Sequence, residues 1–175
     1  LKGGNGAALI VIDMLNDFVL PGAPLEVPAA RRIIPAVRTW IKSAREQGTL
    51  VIYMCDAHAE EDAEFEVWGR HAVQGSKGAE VIEELAPGAD DIVLAKTTLS
   101  AFYKTQLEDT LRQKGITKVT LVGILTNICV FFAAFGAAVR GFEITVPRDC
   151  VAALDEQEHE FALGQMEKVL GVNVM

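Results

Sequence analysis

A chain of 175 residues, half of them hydrophobic, is long enough to bury a core within one domain spanning residues 1–175. Its net charge of −8 offers no basic stripe to displace counterions from a phosphate backbone, so nucleic acid is not an expected partner. The three cysteines, Cys55, Cys129 and Cys150, are an odd set without paired spacing, which suits a reduced thiol protein better than a disulfide scaffold.

Short β-rich runs alternate with longer amphipathic ones, the pattern of βα units that build a parallel sheet. Residues 7–12 read as the first strand and end on Asp13. A loop at 16–28, punctuated by Pro21, Gly22, Pro24 and Pro28, leads into a helix over 29–47. Apolar residues at 30, 33, 34, 37, 41 and 44 give that helix its period, and Gly48 stands where a C-terminal cap belongs. Residues 50–54 form a second strand leading to Asp56, and the acid-rich stretch 56–78, with two histidines and no clean period, reads as a functional loop. A short helix near 79–85 stops at Pro87-Gly88, and a third strand at 92–95 ends on Lys96. The pattern then predicts a helix over 103–114 closed by Gly115, a fourth strand at 118–124, and a buried helix at 129–140 that is apolar nearly all round. A fifth strand at 142–146 precedes a final helix beginning near Asp155, which with Glu158 resembles a capping box, and residues 172–174 supply a sixth, edge strand.

No apolar run reaches the about 18 residues needed to span a bilayer. The nearest, 116–139, is interrupted by Lys118, Thr120, Thr126 and Asn127, with Gly123 and Gly136 breaking its period. Residues 1–6 carry Lys2 but no signal-peptide apolar region, so no membrane partner and a cytoplasmic location are expected.

Four strands thus end on, or just before, Asp13, Asp56, Lys96 and Cys129. In an open parallel sheet, ligands bind outside the carboxyl ends of the strands, so an acid, a base and a thiol converge on one cleft. Cys129, between a strand and a buried helix, is placed at a helix N-terminus, where unpaired N–H groups and the dipole favour thiolate and could form an oxyanion hole. A buried structural cysteine is the alternative reading, and the better one for Cys55 and Cys150. Beside the thiol, Asp13 would carry its proton to a leaving group, while Lys96 would stabilise the thiolate and keep the carboxylate ionised. A turn cap for Asp13 and a solvated surface site for Lys96 are the alternatives. Asp56, His58 and His71 supply hard and borderline ligands for a divalent ion, with Glu64 as a fourth, against the alternative of a solvated acidic loop. His159, on an acid-rich helix face, reads as a surface residue. Phe18 and Trp68, aromatic residues in loops, are candidates to stack on a flat substrate ring or to anchor the core.

Taken in order, these segments resemble the isochorismatase-like cysteine hydrolase superfamily, and within it the nicotinamidases. The similarity rests on residues 8–18 (ALIVIDMLNDF), Asp56-Ala57-His58, Trp68-Gly69-Arg70-His71, Lys96 with Ser100-Ala101-Phe102, and residues 123–130 (GILTNICV). It implies a three-layer α/β/α fold around a six-stranded, mostly parallel sheet. It also implies an Asp13–Lys96–Cys129 triad, a cis peptide at Ile124–Leu125, and an oxyanion hole formed by the backbone N–H groups of Leu125 and Cys129. A metal, zinc in most nicotinamidases with iron or manganese as alternatives, would sit on Asp56, His58, His71 and Glu64. Phe18 and Trp68 match the aromatic walls. The implied activity is hydrolysis of a small amide, nicotinamide first, through a thioester. An N-carbamoyl or ureido amide is the neighbouring alternative, and a catalytically silent ligand-binding member the one from a different class. The presence of Cys129 argues against a true isochorismatase. Where nicotinamidases commonly carry Pro and Cys beside the second histidine, this chain has Gly69, Arg70 and Ala72, and its metal loop is short. A homo-oligomer is expected, as in many relatives.

Overall fold

A computed structural model describes residues 6–175. Strand β1 (Ala7–Ile12) lies at the centre of a parallel sheet, between β2 (Leu50–Asp56) and β4 (Lys118–Ile124). Outward from β2 comes β3 (Ile92–Lys96), and outward from β4 come β5 (Glu143–Val146) and β7 (Asn173–Val174), giving the order β3-β2-β1-β4-β5-β7. All these pairs are parallel. A two-residue strand, β6 (Val151–Ala152), pairs with Gly123 and Ile124 of β4 beyond the point where β5 has left it. The six expected strands are therefore present, and β6, too short to show a period in the sequence, is an addition.

Side chains alternate across the sheet as the two-residue period of a strand requires. Ala8, Ile10 and Ile12 of β1 join Ile52, Met54, Val119 and Leu121 in one core layer, while Leu9 and Val11 join Val51, Tyr53, Val122 and Ile124 in the other. Helix α2 (Ala30–Glu46) packs its Ile33, Val37 and Ile41 stripe on the second layer. Helices α4 (Leu107–Gln113), α5 (Phe131–Ala138) and α6 (Glu156–Leu170) cover the first. Each fully buried Leu, Ile or Val contributes about 1.5–3 kcal/mol, so both helical layers are tied firmly to the sheet.

Several predicted elements change on folding. The loop 16–28 contains a one-turn helix, α1 (Asn16–Val19), and the acidic loop contains another, α3 (Phe65–Trp68). The helix expected at 79–85 resolves into two 3-10 turns, Lys77–Ala79 and Glu83–Leu85, because so short a run does not offset the cost of helix nucleation. The helix expected from 103 begins only at Leu107. Upstream, Lys104 is left-handed (φ 54°) and the Thr105 hydroxyl donates to Ala101 O and accepts from Leu107 N, a local network that competes with the helix. At the start of α6, Asp155 caps as expected, accepting from the N–H groups of Gln157 and Glu158, but Glu158 is engaged by the Asn127 amide. Among the described residues no helix is long and apolar enough to cross a membrane.

Candidate active site

The site forms where β1, β2, β3 and β4 end. Parallel register sets Asp56 opposite Lys96 and Ile12 opposite Gly123, so the residues following these positions share one level of the sheet. Asp13 leaves β1 in a left-handed conformation (φ 52°), which Asp tolerates better than most residues, and its N–H still donates to Met54 O. Gly123 (φ 115°) has no space for a side chain, since a Cβ there would collide with the Ile12 carbonyl oxygen. That glycine lets β4 approach β1 just before the cis peptide Ile124–Leu125, which is present as expected. The chain then makes a π turn, Thr126–Val130, before entering α5. Cys129 is therefore not the first residue of an α-helix but the fourth of the π turn.

The Lys96 ammonium stands at the centre of the cluster. Its Nζ lies 2.8 Å from Asp13 Oδ2, 2.5 Å from Asp56 Oδ1 and 3.5 Å from Cys129 Sγ. Asp13 accepts, through Oδ1, from the Asp56 N–H at 2.9 Å, and it shares the Lys96 ammonium with the Cys129 sulfur. All four side chains are buried, Cys129 being the most exposed at 8%. Burial, opposed by Lys96 but reinforced by the Asp13 and Asp56 carboxylates, holds the Cys129 thiol well above its ordinary pKa. This corrects the expectation of a thiolate favoured by a helix dipole: at rest the proton stays on sulfur. Burial and the neighbouring Asp56 charge raise Asp13 to about 6, against the pull of Lys96. On Asp56 the penalty of burial is outweighed by Lys96 and His58, which hold its carboxyl low. The Lys96 ammonium stays charged despite burial because Asp13, Cys129 and Asp56 surround it. A carboxylate with a pKa near neutrality, sharing one ammonium with a protonated thiol, is suited to take that proton as the sulfur attacks.

Asp56 joins this cluster to a second one. Its Oδ2 lies 3.8 Å from His58 Nε2, too far for a hydrogen bond, and Nε2 is buried without a hydrogen-bond partner. Donor atoms of Asp56, His58 and His71 lie within 4.8 Å of one another, all three residues being buried. Ligands at about 2.0–2.2 Å around a tetrahedral ion stand roughly 3.4 Å apart, so the spacing accommodates a metal. The tautomers fit as well. His58 Nδ1 is engaged by Asp62 Oδ2 at 3.1 Å and His71 Nδ1 by Gly69 O at 2.7 Å, which leaves both Nε2 atoms facing the shared space. The donor set thus fits a divalent ion. Glu64 lies beside His58, grouped with Asp62 rather than with Asp56 and His71, and burial raises its carboxyl.

Above these groups is a cavity of ≈ 300 Å³, at the lower end of the range for small-molecule sites. Asp13, Asp56 and Cys129 line its floor, and Phe18 and Trp68 line its walls with apolar residues such as Leu99 and Ile128. The only charged side chains among the described residues lining it are the carboxylates of Asp13, Glu26, Asp56 and Glu64. Phe18, from α1, stacks at a tilt on His71 with ring centroids 5.6 Å apart.

Sequence reasoning missed four supports. Asp62 orients His58 and caps the turn before α3, accepting from Glu64 N at 2.9 Å; its spacing of four residues from His58 was the available signal. Phe65 packs edge-on against both histidines. Asp17 accepts from the Ala72 N–H at 2.8 Å, pinning the residue after His71, and Gly78 leaves room for its carboxylate. His159 was expected on the surface, yet it is buried against Thr126 at the head of the π turn. Cys55 and Cys150 are buried in the core, and neither lines the cavity, although Cys55 directly precedes Asp56.

The family model of the isochorismatase domain matches residues 7–175. The crystal structure of N-carbamoylsarcosine amidase from Thermoplasma acidophilum is similar with a TM-score of 0.88 at 38% identity, covering 96% of this chain and 94% of that one. The pyrazinamidase of Pyrococcus horikoshii, crystallised in complex with zinc, gives a TM-score of 0.92 at 34% identity over 97% of this chain and 98% of that one. A protein of Arabidopsis thaliana named "Probable inactive nicotinamidase" is 32% identical over 93% of this chain and 88% of its own length.

Proposed function

The chain belongs to the isochorismatase family of amidohydrolases, and we propose that it is a nicotinamidase, converting nicotinamide to nicotinate and ammonia through a thioester on Cys129. The observation that carries this reading is the buried Lys96 ammonium, shared by the Asp13 carboxylate, the Asp56 carboxylate and the Cys129 sulfur. Asp13 takes the thiol proton while Sγ attacks the amide carbonyl carbon. The backbone N–H groups of Leu125 and Cys129 accept the charge that develops on the carbonyl oxygen. As the intermediate collapses, Asp13 delivers the proton to the departing nitrogen, and ammonia leaves. A water molecule then attacks the thioester, losing its proton to Asp13, and the acid departs as the thiol is restored.

Asp56, His58 and His71 would hold a divalent metal, for which zinc is suited by two imidazoles and a carboxylate, with iron or manganese as alternatives if Glu64 adds an oxygen. Bound there, the ion supplies a Lewis-acid contact for a ring nitrogen. Phe18 and Trp68 hold the ring between them. The cavity's own charge supports a neutral amide over an N-carbamoyl amino acid, whose carboxylate would face Glu26 and Glu64 with no Lys or Arg in the lining among the described residues.

The test is ammonia release from nicotinamide by the metal-loaded protein, with mass spectrometry of the trapped acyl adduct. Cys129→Ala is expected to abolish turnover with the fold retained, because it removes the whole covalent pathway. Turnover surviving in Cys129→Ala, or equal rates on nicotinamide and benzamide, would overturn the proposal.

A further inference from the structure

The turn that carries Cys129 opens on a shared acceptor. The N–H groups of Ile128 and Val130 both donate to one carbonyl, that of Leu125, at 3.1 Å. A π turn of this kind has poorer hydrogen-bond geometry than an α-helix, so something else must hold its orientation. Helix α6 does so through two adjacent residues. The Asn127 amide donates to Glu158 Oε2 at 2.8 Å, and Thr126 Oγ is hydrogen-bonded to His159 Nδ1 at 2.8 Å. Thr126 is fully buried and His159 is 8% exposed, a costly position for an imidazole unless its ring nitrogen is paired. The start of α6 is itself fixed, by the Asp155 cap on the N–H groups of Gln157 and Glu158 and by the ion pair of Glu160 with Arg148.

We infer that His159 is a positioning residue for the nucleophile: through Thr126 it sets the π turn so that Cys129 Sγ meets both Asp13 and Lys96. The inference rests on the reading of Cys129 as nucleophile. The sulfur stands 3.5 Å from Lys96 Nζ, which is itself 2.8 Å from Asp13 Oδ2, and a displacement of about 1 Å at such a site costs on the order of a hundredfold in rate. A chain of contacts therefore runs from the α6 cap through His159 and Thr126 to the thiol, with His159 touching neither substrate nor metal ligands.

The experiment compares His159→Phe, which fills the space without a ring nitrogen, with His159→Asn, whose amide places a polar atom where Nδ1 stood. Thr126→Val and Thr126→Ser form the matching pair on the turn. Two readings are taken on the metal-loaded protein: kcat and KM for the amide, and the rate of Cys129 alkylation by iodoacetamide at pH 7, followed by mass spectrometry. His159→Phe and Thr126→Val are expected to lower kcat by about tenfold or more, with KM within about threefold, and to slow alkylation by about fivefold or more. His159→Asn and Thr126→Ser should restore both readings to within about threefold, and the double variant His159→Phe/Thr126→Val should be no worse than either single one. An unchanged or faster alkylation rate in folded His159→Phe, or losses that multiply in the double variant, would overturn the inference. If His159→Phe does not fold, the Thr126 pair decides on the same readings. Alkylation is read without turnover, so a protein inactive on every amide tested would refute the substrate assignment while leaving this comparison decisive.

Discussion

A metal held by Asp56, His58 and His71, as proposed, would owe part of its affinity to Asp62, which is outside that ligand set. Asp62 Oδ2 lies 3.1 Å from His58 Nδ1, and its Oδ1 accepts from Glu64 N. A carboxylate on the distal nitrogen of a ligating histidine fixes the tautomer, aims Nε2 and raises ligand basicity, and its loss costs about 10–100-fold in affinity. Two facts place Asp62 in the lower half of that range. Its distance to Nδ1 is long for an N–H···O bond, and its side chain is 20% exposed, so water can replace part of the contact. For Asp62→Asn, which preserves shape but removes the charge, zinc affinity should fall about 10–30-fold, equivalent to about 1.4–2 kcal/mol. A competition titration of apo protein against a chromophoric chelator measures this, with elemental analysis to confirm stoichiometry. The melting temperature of the apo form should move little, since Asp62 lies at the surface of the loop. Zinc affinity within twofold of the wild type, in a folded Asp62→Asn protein, would refute the reasoning from tautomer and second contact.

Other outcomes follow from the same geometry. Lys96→Met should slow iodoacetamide alkylation of Cys129 by about tenfold or more, because the ammonium beside the sulfur is gone, and should lower stability in urea by about 3–5 kcal/mol by leaving Asp13 and Asp56 buried without their counter-ion. Cys55→Ala and Cys150→Ala should keep most amidase activity, since both thiols sit in the core and neither lines the cavity; an ammonia-release assay on either variant decides. Gly123→Ala should cost about 3–5 kcal/mol or prevent folding, the new Cβ meeting the Ile12 carbonyl in a backbone conformation that disfavours any side chain; a urea midpoint near wild type would contradict this. An N-carbamoyl amino acid should be hydrolysed at least about tenfold less efficiently in kcat/KM than nicotinamide, and Glu64→Gln should narrow the gap, like charges at such range being unfavourable.

Much of this was legible because parallel sheets convert strand order into adjacency. Once the runs at 7–12, 50–54, 92–95 and 118–124 are recognised by their apolar character, whatever follows each of them must share one edge of the sheet. Asp13, Asp56, Lys96 and Cys129 were found in that way. The ionisation of Cys129 was not, because a dipole argument considers the turn alone. Burial acts on the sulfur together with two carboxylates brought by other strands, and neither is visible from residues 126–130. Asp62 was lost for a related reason: the acids of the loop look alike until the fold selects the one that meets Nδ1 of His58.

His159 is the more instructive case, since the signal was present and was outweighed. Its immediate neighbours Glu158 and Glu160 argue for a solvated face. Its helical neighbours argue the opposite, for the buried residues of α6 are His159, Ala162, Leu163 and Met166, an i, i+3, i+4, i+7 stripe of which the histidine is the first member. Charge on adjacent residues reports the other side of a helix, while the side chains three and four positions away share its face. An imidazole at the head of an apolar stripe must find a polar partner on whatever the stripe covers, and here that partner is Thr126 on the turn that carries the nucleophile. Periodicity thus places His159 against the protein interior, burial requires it to be paired, and the identity of its partner ties a helix outside the cavity to the chemistry within it.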